Sequence, residues 1–89
     1  MNGVTSIGPG ENAGGDLPSG LTNFLKVENK SATEKAHYDI RVNASPFKED
    51  HLPVNGVAPS IELPQGGKVS VFNRSGKATI LVTLTGVSK

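Results

Sequence analysis

The residue types best able to do chemistry fall on one short run. His37, Asp39, Arg41 and Asn43 alternate with Tyr38, Ile40, Val42 and Ala44. In an extended strand, side chains two positions apart point the same way, about 7 Å apart. An imidazole, a carboxylate, a guanidinium and an amide would then form a polar stripe able to read a sugar or a partner's charged groups. The plainer use of such a stripe is as a solvated sheet face, with Lys26 and Glu28 across the way as weak ion-pair partners.

A second group, Glu49-Asp50-His51, places two acids beside an imidazole. Three consecutive residues of extended backbone cannot all aim at one ion, and His37 and His51 are far apart in the chain, so no metal site is expected. Serines are plentiful, but none is framed as a nucleophile elbow. Gly8-Pro9-Gly10 and Gly14-Gly15 do not join a strand to a helix and so fail as a phosphate cradle. No catalytic residue and no cofactor is expected. Asn29-Lys30-Ser31, Asn43-Ala44-Ser45 and Asn73-Arg74-Ser75 match the N-glycosylation acceptor pattern. All three fall at strand ends, where Asn and Ser side chains bond the local backbone, and a turn role accounts for them.

The elements that must carry these groups are strands. Leu25 and Val27 alternate with Lys26 and Glu28, predicting a first strand at about 22–29. After a polar link, the Tyr38–Ala44 alternation predicts a second, antiparallel to the first and beside it. Ser45 to Ser60 is the least regular stretch, broken by Pro46, Pro53 and Pro59. Within it Asn55-Gly56 reads as the centre of a type I′ turn. Ile61 and Leu63 make a short strand stopped by Pro64, and Gln65-Gly66-Gly67 turns into a final hairpin. There Val69 and Val71 precede, and Ala78, Ile80, Val82 and Leu84 follow, a Ser75-Gly76 loop. That register sets Val71 opposite Ile80 and Val69 opposite Val82. A three-residue loop would instead set Val71 opposite Thr79; the even loop is preferred because it pairs apolar with apolar. The expected core is Leu25, Val27, Tyr38, Ile40, Val42, Val69, Val71, Ile80, Val82 and Leu84. No segment has a helical period.

At 89 residues the chain has room for one small domain. It has no cysteine and only four aromatic residues, Phe24, Tyr38, Phe47 and Phe72, so its core must be aliphatic and unstapled. A net charge of +1 argues against a dedicated nucleic-acid binder. No apolar run reaches the roughly 20 residues of a membrane span, and the N-terminus lacks signal-peptide character. A soluble protein is expected, with no membrane partner. Residues 1–20 hold Gly3, Gly8, Gly10, Gly14, Gly15 and Gly20 with little apolar surface, and read as a flexible N-terminal arm ahead of a β-domain at 21–89. Phe72, Leu81 and Thr83 lie on the hairpin face opposite the valines. With Val4, Ile7 and Leu17 of the arm they are the expected interface residues.

These readings converge on an all-β fold, a small antiparallel β-sandwich or flattened barrel of five to six strands with immunoglobulin-like or jelly-roll character. A small core without disulfides gains from protein partners. The leading functional expectation is a non-enzymatic assembly subunit, a homo-oligomer or a protein docking on a larger assembly, such as a decoration protein of a virion. The alternative is a carbohydrate- or receptor-binding module using the loop at 45–60 or the stripe of His37, Asp39, Arg41 and Asn43. Third comes a weak single-stranded nucleic-acid binder built as an OB-like barrel.

Overall fold

The computed structural model describes residues 3–88; Met1 and Asn2 of the expected arm, and Lys89 at the end of the expected β-domain, lie outside the described residues. Eight strands run β1 (Gly3–Ile7), β2 (Asn12–Asp16), β3 (Leu21–Asn29), β4 (Ala36–Val42), β5 (Ser45–Leu52), β6 (Ile61–Leu63), β7 (Lys68–Asn73) and β8 (Ile80–Ser88), where sequence pattern predicted five or six. No helix occurs among the described residues.

The strands form two four-stranded antiparallel sheets, ordered β1-β8-β3-β6 and β2-β7-β4-β5, packed against each other. The order follows one rule. The chain doubles back at the β4–β5 turn, so that β4 lies beside β5, β3 beside β6, β2 beside β7 and β1 beside β8. These four pairs alternate between the sheets, and every connection except β4–β5 crosses from one sheet to the other.

Period-2 alternation puts one row of each central strand into the core. Leu25 and Val27 of β3, Tyr38, Ile40 and Val42 of β4, Val69 and Val71 of β7, and Ile80, Val82 and Leu84 of β8 are all buried, as the alternation predicts. Ile7, Leu17, Ala36, Leu52, Leu63 and Ala78 join them in one cluster.

Several sequence expectations are corrected. β7 and β8 are not a hairpin, because they lie in different sheets. Val71 pairs with Ala13 and Ile40, whereas Ile80 pairs with Ile7 and Asn29. Their valine rows face each other across the core instead of lying side by side, so the link 74–79 is a corner. β3 and β4 are likewise in opposite sheets and not neighbours. Residues 45–52 form an eight-residue strand, despite Pro46, because β5 is an edge; Pro46 then removes no donor that an inner ladder needs. The turn near Asn55 closes one residue earlier than expected. Gly56 N–H donates to Pro53 O (2.8 Å) and Asn55 alone takes a positive φ of 55°, the pattern of a type II turn.

The stretch read as an arm is continuous with the β-domain. β1 pairs with β8 over five residues and β2 with β7 over five, each completing a sheet edge. Ile7 and Leu17 are 2% and 1% exposed, so these two of the expected interface residues are core. A chain too poor in apolar residues to fold on itself is held here by backbone pairing to strands that already have a core.

Candidate functional site

At one end of the molecule two Asn-x-Ser triplets organise corners. Asn73 closes β7; its Nδ2 donates to Ile7 O (2.9 Å) and Ala78 O (2.8 Å), and its Oδ1 accepts from Ser75 N–H (2.9 Å). Asn29 closes β3 in the same manner, donating to Glu34 O and Pro53 O and accepting from Ser31 N–H. Ser75 Oγ accepts from the His37 N–H, tying the 74–79 corner to the start of β4. Both asparagines are nearly wholly buried, so their amides serve the corners and present nothing to solvent.

The expected polar stripe lies on the outward side of β4. Asp39 sits opposite Phe72 of β7 and Arg41 opposite Ser70. Asp39 Oδ2 accepts from Arg41 Nε (3.2 Å) and from Arg74 Nη2 (3.1 Å). Burial pushes the Asp39 carboxyl upward, but the hydrogen bonds and charges of the two guanidiniums outweigh it and hold the pKa below the usual aspartate value. Both guanidiniums also lie near the Phe72 ring, at 5.3 and 5.6 Å from its centre, within cation–π range. Arg74, which the stripe does not contain, thus joins it through the corner.

Asn43 ends the stripe at the β4–β5 turn. Asn43 and Ala44 take positive φ of 51° and 66°, the two central positions of a type I′ hairpin. The Asn43 N–H donates to Lys68 O (2.8 Å), and its Oδ1 accepts from Lys68 N–H (2.9 Å). Gly67 permits this approach, since a Cβ there would collide with the Asn43 amide. Beside the turn, Arg41, Asn43, Ala44, Lys68, Ser70 and Phe72 line a shallow depression of about 390 Å³.

The remaining stripe residue, His37, belongs to a different group. It lies directly opposite His51, and the two rings stack at 4.2 Å with 11° between planes. Glu49 Oε2 reaches His37 Nε2 at 2.5 Å. Strand pairing unites histidines that the chain separates, a contact that no local pattern announces. Among the described residues no three His, Asp or Glu side chains are placed to hold a metal.

The interface residues separate as well. Val4 lies opposite Thr83, and Leu81 opposite Ser6, on the outward face of the β1-β8-β3-β6 sheet. Phe72 is on the outward face of the other sheet, on the far side of the molecule. Lys26 and Glu28, paired at 3.0 Å, share the face of Leu81 and Thr83 and are not across from the β4 stripe. No model of a known protein family matches the chain, and no curated protein matches it.

Proposed function

We propose that this chain is a jelly-roll β-sandwich serving as a non-enzymatic assembly subunit, docking on neighbouring subunits through the outward face of the β1-β8-β3-β6 sheet. The observation that carries the reading is the outward row of β8. Leu81, Thr83, Thr85 and Val87 bear no charge and run along an inner strand of that sheet, flanked by Val4 on β1 and by Phe24 and Thr22 on β3. Val4 and Val87 are 61% and 49% exposed. On β3, Lys26 and Glu28 lie directly opposite Thr83 and Leu81, and Glu62 of β6 lies opposite Phe24, so charged groups border the row on its β3 side. An apolar surface with a polar margin is what a protein partner covers.

The fold adds support by analogy alone. Eight strands whose pairs nest about one central hairpin suit the double-sheet jelly roll, an architecture that capsid proteins share with lectins and cupins. The virion setting rests on that analogy.

Solution mass by light scattering tests the reading. The expected result is an oligomer of defined mass that Leu81→Glu reduces to the mass of one chain. A wild-type protein that stays monomeric at all concentrations, and fails to join the particle of its source, would sink it.

A further inference from the structure

We infer that the depression beside the β4–β5 turn is a binding site for an oxyanion: a carboxylate, sulfate or phosphate group carried by a small ligand. The inference concerns the face opposite the proposed docking surface and does not depend on it. It rests on which polar atoms are already in use. Arg41 commits Nε to Asp39, and its two Nη groups have no partner among the described residues. Asn43 commits Oδ1 to the Lys68 N–H, so its unused group is the Nδ2 donor. Lys68 Nζ makes no ion pair among the described residues, and Ser70, paired with Arg41 across β4 and β7, lines the same space.

The lining therefore offers donors from four side chains, while Asp39, the carboxylate beside Arg41, is spent, since it already accepts from two guanidiniums. Asp16 lies opposite Lys68 on β2, but β7 separates it from Arg41. A donor-rich, acceptor-poor recess with a guanidinium fork and an ammonium selects a group with several acceptor oxygens and negative charge. The recess is also preformed: a backbone bond to Lys68 O and a bond from the Lys68 N–H to the Asn43 side chain lock Asn43 to Lys68, and Phe72 anchors Arg41.

The test is a titration of the full-length ¹⁵N-labelled chain, in separate arms, with sodium sulfate, sodium phosphate, acetate and glucuronate, at constant ionic strength. Saturable amide shifts are expected at Asn43, Ala44, Lys68 and Ser70. Lys68→Gln should weaken the affinity about tenfold or more, the worth of one charge-assisted hydrogen bond, because Lys68 Nζ makes no ion pair among the described residues. Ser70→Ala should weaken it less, and Lys26→Gln on the opposite face should leave it unchanged. Tighter binding of glucuronate than of acetate identifies an acidic sugar as the ligand class; stronger sulfate or phosphate binding identifies a free or esterified inorganic anion. Shifts spread over all Lys and Arg residues without saturation, or an affinity that survives Lys68→Gln, overturn the proposal.

Discussion

Two buried asparagines show how much of this fold hangs on single amides. Asn73 meets two carbonyls and one N–H at the corner between the sheets. Asn73→Ala strips those groups of partners where water cannot replace them, and an unsatisfied buried polar group costs about 1–3 kcal/mol. Urea unfolding should show the midpoint falling by that much, whereas a midpoint within error of wild type would mean the corner relaxes to reach solvent. Asp39 carries a pH-dependent term. Its folded pKa lies below its ordinary value of 3.8, so its contribution to stability is complete above that value and is lost as pH falls through the lowered one. The melting temperature of Asp39→Asn should therefore trail wild type most at neutral pH, with the gap closing in strong acid. An unchanged gap at both extremes would remove the ion network from the account.

Among the elements, β1 and β5 are both edges but are secured differently. β5 is exposed on all but Leu52 and carries Pro46, Lys48, Glu49 and Asp50, with a register shift between Ile40 and Arg41. Charge, proline and a bulge on an edge are the common means of discouraging sheet-to-sheet aggregation. β1 is short but delivers Ile7 into the core beside Ile80. Truncating a buried Ile to Ala costs about 2–5 kcal/mol. Ile7→Ala should lower the unfolding midpoint of the whole domain cooperatively, not merely release the N-terminus. A local loss of protection at residues 3–7, with global stability intact, would show β1 to be an accessory strand.

For the whole molecule, the central consequence is that the two outward faces have different chemistry. One carries an uncharged row on β8; the other carries Asp39, Arg41, Arg74 and Lys68 around Phe72. The proposed docking face can be altered without touching the core, because Leu81 points away from it and is half-buried among its own neighbours. Leu81→Glu should consequently change solution mass while moving the melting temperature of the dissociated chain little. Loss of folding instead of assembly would mean that this face supports the domain itself.

Reading the chain residue by residue determined the buried apolar rows of β3, β4, β7 and β8, because strand alternation is local, but it missed Ile7 and Leu17, whose burial depends on which distant segments they pair with. It determined the turn at Gly66-Gly67 for the same reason, and placed the Asn-x-Ser triplets at turns, but not the distant carbonyls and N–H that Asn29, Asn43 and Asn73 also reach. It did not determine which strand lies beside which. A hairpin and a sheet-to-sheet corner both need two apolar rows in phase and a short polar link, so Val69-Val71 and Ile80-Val82 fit either arrangement. β1, β2 and β5 were illegible as strands because edge strands draw their order from a neighbour's backbone and need little apolar sequence of their own. The same applies to the candidate sites: Asp39 and Arg41 share a face by strand period alone. Arg74, Lys68, Ser70 and the His37–His51 stack come together only through pairings between strands distant in the chain, which backbone hydrogen bonding and core closure select and local composition does not encode.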